Sequence, residues 1–286
     1  MKQFKIDLSL ITCLYNGDRY IDNLCQMFEA NLGRLSGTRS AEYIMINDSP
    51  WNRVSIPEKY KHLPIHIYDN EKNLGIHRSR INGIEKARGK YILILDQDDE
   101  IRDEYLLSQT KKIRDRDVVV CNGYKEYADS SKAIYRDRIK MSLINSKNIY
   151  VMAANQIVSP GQCLIKKESI PSAWIKYEMK SNGSDDLFLW LLYLYSGRRF
   201  AINSEKLYCH KQVGNNLSND LKKMCESDHE MCYLAEKEKL LPEKAIKKRM
   251  RMTHFIAETN YTQKLSLKVL LKYPDIVFVK ALAVLL

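Results

Sequence analysis

At 286 residues the chain is long enough for one large domain with a substantial core. Its 45% hydrophobic and 28% charged residues exclude an extensively disordered protein. The net charge of +11 admits nucleic acid, an anionic membrane or a phosphorylated substrate as partner without choosing among them. Seven cysteines, at positions 13, 25, 121, 163, 209, 225 and 232, form no C-x-x-C pair, no zinc spacing and no even-numbered disulfide framework, so a reducing compartment is expected. Residues 1–7 lack the apolar run of a signal peptide, and export is not expected.

In chain order, short apolar runs at 6–14, 43–46, 65–68, 91–95 and 118–121 read as strands, with helical patterns between several of them. This alternation predicts βαβ units and a mainly parallel sheet with helices on both faces. The clearest helix spans 76–88, with Ile81 and Ile84 on one face and Gly89 suited to a C-terminal cap. Residues 126–160 are polar and carry no assignable element before the turn signal Ser159-Pro160-Gly161. An apolar helix is expected over 185–195, ending near Gly197, then a short strand at 199–202 and helices from about 219 onward.

The basic charge is concentrated in 244–286, where nine Lys or Arg face only Glu258 and Asp275. Within it, residues 266–286 are rich in Leu and Val but broken by Lys268, Lys272, Pro274, Asp275 and Lys280, a poor transmembrane span. An amphipathic helix on a membrane and a helix docked on the protein's own core both fit this pattern.

Ligands of open parallel sheets bind beyond the carboxyl ends of the strands, which directs attention to the polar residues after each apolar run. The first strand ends in Thr12-Cys13-Leu14-Tyr15-Asn16-Gly17, the second in Asn47-Asp48, and the fourth in Asp96-Gln97-Asp98-Asp99. An aromatic ring and an Asn can contact a base, and a carboxylate can accept hydrogen bonds from base or ribose. Two carboxylates at the mouth of a buried strand repel each other unless a cation such as Mn2+ or Mg2+ intervenes. A solvated acidic turn capping a helix that starts near Asp103 is the alternative. Downstream, Ser184-Asp185-Asp186 opens the apolar helix, where carboxylates also suit the helix dipole without any catalytic purpose.

Together these residues resemble a family 2 glycosyltransferase of the GT-A fold, over roughly residues 6–220. Residues 11–17 are similar to the family's opening strand, Asn47-Asp48-Ser49 to its second-strand aspartate motif, Asn73-Leu74-Gly75 with Arg80 and Gly83 to its Arg-Asn helix, and 91–99 to its D-x-D region. Cys13, Asn47 and Ile81 stand where the family often has Pro, Asp and Asn. The resemblance implies an α/β GT-A domain over 1–218, with a nucleotide-binding half at about 1–125 and an acceptor half at about 126–218. A helical region, 219–286, follows it. It implies donor contacts from Thr12, Tyr15, Asn16, Asp48, Arg80, Asp96 and Gln97, and metal ligation by Asp98 and Asp96. Asp186 is implied as the general base, with Asp185 as its neighbour. The segment Lys211-Gln212-Val213-Gly214-Asn215-Asn216 is similar to an Arg-Gln-His-Gly-Asn-Asn stretch of relatives that build bacterial surface polysaccharides. The resemblance implies that Lys211 neutralises the diphosphate and that His210 stands in, as a third metal ligand, for the His replaced by Val213.

The implied reaction is inverting transfer from a nucleotide-sugar, UDP-linked, to a saccharide or polyprenyl-linked saccharide. The implied place is cytoplasmic, at the inner face of the plasma membrane with peripheral contact through 264–286. A sugar nucleotidyltransferase is the competing enzyme reading, but the Gly-rich phosphate loop it needs near the N-terminus is missing. A nucleic-acid-binding or membrane-bound non-enzymatic module is the other class. No nucleic acid is expected, because no helix-turn-helix, zinc finger or aromatic RNA-binding signature accompanies the charge.

Overall fold

A computed structural model describes residues 6–35, 37–212, 219–262 and 266–285, side chains of 260–262 excepted. The described chain forms two compact units: residues 1–135, 158–170 and 200–213, and residues 136–157, 171–199 and 214–286.

The first unit holds the sheet. Its strands are β1 (Ile6–Leu14), β2 (Ala41–Asn47), β3 (Ile65–Asp69), β4 (Gly89–Ile94), β5 (Glu100–Ile101), β6 (Val118–Tyr127), β7 (Ser130–Ala133), β8 (Cys163–Lys166) and β9 (Ala201–Lys211). The order is β3-β2-β1-β4-β8-β6-β9-β5, with β7 hydrogen-bonded to β6. Strands β3, β2, β1 and β4 run parallel, β8 is antiparallel to both its neighbours, and β6 and β9 are parallel again. Helices α1 (Ile21–Leu35), α2 (Ile76–Lys86) and α3 (Tyr105–Ile113) complete the unit.

In α1 the apolar positions Ile21, Leu24, Cys25 and Phe28 recur at helical spacing and are buried against Leu8, Leu10 and Tyr43 of the sheet. On the opposite face α2 approaches so closely that a Cβ on Gly83 would stand 2.4 Å from the Ile11 side chain. Helices therefore lie on both faces of this α/β sheet.

Helix α2 stops at Lys86, where Ala87 turns to an extended conformation, and Gly89 is the first residue of β4 rather than a helix cap. Gly89 is needed there for proximity, since a Cβ would fall 2.5 Å from the Ser9 amide nitrogen on β1. The strands expected at 118–121 and 199–202 are the apolar beginnings of the longer β6 and β9. Their polar second halves pair with each other, Tyr124 opposite Cys209 and Glu126 opposite Lys211. A half-exposed strand of this kind carries too little apolar signal to be read from composition.

The second unit is helical: α4 (Arg138–Ser142), α5 (Lys147–Met152), α6 (Ser172–Lys176), α7 (Asp185–Tyr195), α8 (Leu221–Lys237), α9 (Glu243–Thr262), α10 (Leu267–Lys272) and α11 (Pro274–Leu285). Helix α7 is its core, buried on every side from Leu187 to Leu194. The polar stretch 126–160 thus supplies β6, β7, α4 and α5. Among the described residues no helix is long and apolar enough to cross a membrane, and all seven cysteines are free.

Candidate active site

At the carboxyl end of β1 the chain turns through Asn16, whose φ of 47° lies in the left-handed region that Asn tolerates. Gln97 locks this turn from the β4 side, its Oε1 accepting the Tyr15 amide at 2.9 Å and its Nε2 donating to the Tyr15 carbonyl at 3.2 Å. Tyr15 is left half exposed, in edge contact with Trp51 at 6.0 Å between ring centroids. The Trp51 indole donates to Asn16 Oδ1 at 3.1 Å, and the ring itself is 62% exposed. The two solvent-facing rings stand at 84° to each other, so together they offer a planar base one face to stack on and a second ring against its edge. Sequence reasoning found Tyr15 and Asn16 but missed Trp51; its signal was an aromatic residue in a polar turn just after Asn47-Asp48.

Asp48 directly follows β2 and is buried. Its carboxylate accepts the amides of Leu74 at 2.7 Å and Gly75 at 2.9 Å, and Asn70 Nδ2 at 2.8 Å. With three of about four lone-pair positions occupied, it retains about one for a ligand donor. Gly75, at φ 84°, is the residue that lets this turn enter α2. Asn47 bonds Asp69 Oδ1 and the Asn52 carbonyl, bracing the same loop. Thr12 stands apart from the mouth: it is fully buried, with its hydroxyl 2.8 Å from the Tyr43 hydroxyl in the core.

The acidic turn after β4 divides its carboxylates among three environments. Asp96 accepts Arg80 Nη2 at 2.7 Å and the Ser159 hydroxyl at 2.9 Å, so Arg80, buried on α2, neutralises it. Asp99 is buried and accepts from the Tyr208 hydroxyl, from the Lys211 amide at 3.2 Å and from His210 Nδ1 at 3.0 Å. Burial pulls the His210 imidazole down, but the hydrogen bond and charge of Asp99 outweigh it and hold it above its ordinary value. The Lys211 ammonium reaches Glu126 at 2.7 Å and Glu100 at 3.2 Å. Asp98 makes no ion pair among the described residues; burial, then Asp99 and Asp96, push it up to about 6. Asp99 does not cap the next helix, since α3 starts at Tyr105 without a side-chain cap.

A half-buried carboxylate raised first by burial and then by neighbouring like charges suits a cation. The donors at this turn are oxygens, the chemistry Mg2+ or Mn2+ prefers with substrate phosphates completing the shell. Among the described residues no three His, Cys, Asp or Glu side chains converge as a ready ligand set. His210 has one ring nitrogen engaged by Asp99, and Asp96 is engaged by Arg80, so of the three carboxylates of this turn Asp98 is the one with no ion pair among the described residues. Val213 and the residues to Asn216 lie outside the described residues.

In the second unit, Ser184 precedes α7 and its hydroxyl donates to Asp228 Oδ1 at 2.6 Å. Asp185 is buried and its carbonyl accepts the Trp174 indole at 2.7 Å. Asp186 is half-buried; its Oδ2 accepts Asn155 Nδ2 at 2.9 Å and its Oδ1 the Leu187 amide at 2.6 Å. Asn155, in the loop after α5, and Asp228 and Arg249, in α8 and α9, went unread in the sequence because isolated polar residues carry no local signature.

Comparison with known proteins adds the lineage. The model of glycosyl transferase family 2 matches residues 9–171, more than half of the chain. The chain belongs to this family. Curated family relatives include the glycosyltransferase EpsH of Bacillus subtilis, 28% identical over 51% of this chain and 42% of the relative. The uncharacterized glycosyltransferase MJ1057 of Methanocaldococcus jannaschii is 29% identical over 58% of each. The chain therefore spans about half the length of the curated relatives it matches. Among solved structures, Staphylococcus aureus TarS 1-349, crystallised with UDP-GlcNAc, superposes with a TM-score of 0.60 at 17% identity, covering 92% of this chain and 77% of that one. This likeness shows the GT-A fold of the family 2 chain, a mixed sheet flanked by helices with a helical C-terminal region.

Proposed function

We propose that this family 2 chain is an inverting glycosyltransferase that moves a sugar from a UDP-sugar to a hydroxyl of a saccharide or polyprenyl-linked saccharide, in the synthesis of a bacterial surface polysaccharide. The observation that carries this reading is the constellation beyond the β1, β2 and β4 ends: the Tyr15–Trp51 platform, the Asp48 acceptor and the uncommitted Asp98. The activity of a relative supports it. TarS of S. aureus, 25% identical over 74% of this chain and 37% of the relative, is a poly(ribitol-phosphate) beta-N-acetylglucosaminyltransferase, and its N-terminal fragment has been crystallised with UDP-GlcNAc and with UDP.

In this reading the base stacks on Trp51 with Tyr15 against its edge, Asp48 takes a hydrogen bond from it, and Gln97 and Asn16 keep the loop in shape. Asp98, with Asp96, would hold a divalent cation, which supplies electrostatic stabilisation to the departing diphosphate. Arg80 sets the orientation of Asp96. Asp186 accepts the proton of the acceptor hydroxyl, a role that contributes roughly 10²- to 10⁴-fold in general-base catalysis, and Asn155 holds the carboxylate in place. The exposed Leu267, Leu271, Phe278, Val284 and Leu285 of α10 and α11 support peripheral contact with the inner face of the plasma membrane.

The test begins with a thermal-shift screen of nucleotide sugars with manganese, where a true donor raises the unfolding temperature by mass action. Transfer is then assayed with the donor so identified. Release of nucleoside diphosphate supports glycosyl transfer, and release of pyrophosphate replaces it with nucleotidyl transfer. Full activity in chelator removes the metal from the reading, and near-wild-type turnover in Asp186→Asn removes the base. Unchanged membrane partitioning after deletion of 264–286 removes the membrane contact.

A further inference from the structure

Next to Asp186, and wholly within the second unit, lies a cavity of about 490 Å³. One part of its wall is apolar, with Met224 of α8 and Met252, Phe255 and Ile256 of α9. Another part is polar, formed by Asn155 and Asp186. The charges around it are unequal in status. Arg249 is buried and paired with Asp228, so this couple presents no net charge. Lys280 of α11 also lines the cavity, makes no ion pair among the described residues, and has its ammonium 5.8 Å above the centre of the Phe255 ring. Burial, reinforced by the Arg249 charge, pulls its amine below the usual lysine value. A cation held against apolar surface without a counter-ion is costly unless an anion joins it.

These three surfaces have different requirements. A bare saccharide would hydrogen-bond Asp186 and Asn155 but leave the methionine and isoleucine wall facing hydroxyl groups that it cannot satisfy. A simple hydrocarbon would cover that wall and leave Lys280 uncompensated. A molecule with hydroxyl, phosphate and hydrocarbon in succession satisfies all three.

We infer that this cavity seats the acceptor, and that the acceptor is a sugar joined through phosphate to an apolar chain, with a hydroxyl at Asp186, the phosphate at Lys280 and the chain along Met252, Phe255 and Ile256. The inference rests on the reading of Asp186 as the base; it narrows the proposed acceptor to its phosphate-and-lipid-linked form and adds the cavity that seats it and the residue that selects it. Lys280 is a specificity residue in this account, since it recognises the phosphate and takes no part in proton transfer.

The test uses the full chain and three probes below their aggregation concentrations: farnesyl phosphate, farnesol and ribitol 5-phosphate, each titrated by calorimetry. Farnesyl phosphate is expected to bind at least about tenfold more tightly than the other two, because it alone meets both the cation and the apolar wall. Lys280→Gln is expected to weaken farnesyl phosphate by about tenfold while leaving farnesol and UDP binding unchanged. Lys268→Gln, on the exposed surface of α10, is expected to change none of them. Equal affinity for farnesol removes the phosphate site, and equal affinity for ribitol 5-phosphate removes the apolar chain in favour of a polyol phosphate. Undiminished farnesyl phosphate binding in Lys280→Gln overturns the assignment. Asp186→Asn separates this inference from its premise. If that variant still transfers sugar while Lys280→Gln loses the probe, the base is misassigned and the cavity stands. If Asp186→Asn is inactive and Lys280→Gln binds as the wild type does, the base stands and the cavity assignment falls.

Discussion

Replacing Asp228 with Asn removes an anion that three groups of the second unit share. Its Oδ1 accepts Ser184 Oγ at 2.6 Å, and its Oδ2 accepts Thr253 Oγ1 at 3.1 Å and the Arg249 guanidinium. Arg249 is buried and donates its other terminal nitrogen to the Tyr150 carbonyl at 3.0 Å, so it cannot swing into water when its partner is neutralised. Breaking a buried pair from one side costs about 3–5 kcal/mol, because the remaining charge is stranded. That is at least about a fifth of the ~5–15 kcal/mol that holds a typical domain folded, and most of it at the lower end of that range. Ser184→Ala, which deletes one charge-assisted hydrogen bond, is expected to cost about 1.5–3 kcal/mol. Asp228→Leu combined with Arg249→Met removes both charges together, and is expected to cost well under the sum of the two single changes. Urea unfolding followed by circular dichroism at constant m-value measures Asp228→Asn, Ser184→Ala, the double variant and its two single components. A loss below about 1 kcal/mol in Asp228→Asn, or strict additivity in the double variant, would refute the reasoning.

Three further outcomes follow from the first unit. Trp51→Ala is expected to weaken UDP binding by the ~1–3 kcal/mol of one aromatic stacking contact, about 5- to 150-fold, with melting temperature unchanged because the ring is exposed; calorimetric titration reads it. Gly89→Ala brings a Cβ to 2.5 Å from the Ser9 nitrogen, and the strand displacement it forces is expected to cost at least about 1–3 kcal/mol in urea unfolding. Glu42 is buried on β2, and although burial alone raises its carboxyl, hydrogen bonds from Ser9 and Arg88 hold it below the ordinary glutamate value. A depressed folded-state value means its stabilisation is complete above the unfolded value of about 4.3 and is lost as pH falls through the lower folded one. The stability difference between wild type and Glu42→Gln, measured by urea unfolding from pH 7 to pH 3, should therefore shrink on acidification.

Where a strand is apolar throughout and ends at the mouth, as in β1, β2 and β4, its residues announced both the element and the ligand-facing turn. Polarity concealed β6 beyond Cys121 and β9 beyond Ile202, whose second halves pair with each other and send Leu207 and Tyr208 of β9 into the hydrophobic core. The acidic turn was legible as a cluster, but its allocation was not. Arg80 and Ser159 reach Asp96 from 16 and 63 residues away, and His210 reaches Asp99 from 111 residues away. Sequence proximity made Asp96 and Asp98 look equivalent; tertiary partners separate them. Trp51 escaped for the opposite reason, since an exposed ring in a loop belongs to no periodic pattern.

The order of the strands also governs how the chain must be made. The open side of β4, complete by Ile94, is covered by β8, which begins at Cys163, and β6 waits for β9, which begins at Ala201. At translation rates of about 5–20 residues per second, the β4 edge stays bare for roughly 70 residues of synthesis, on the order of 4–14 s. Throughout that interval Tyr91-Ile92-Leu93-Ile94 presents an apolar strand edge of the kind that pairs with other chains. Yield in a heterologous host should accordingly respond to chaperone supply and growth temperature more than to the equilibrium stability of the finished protein.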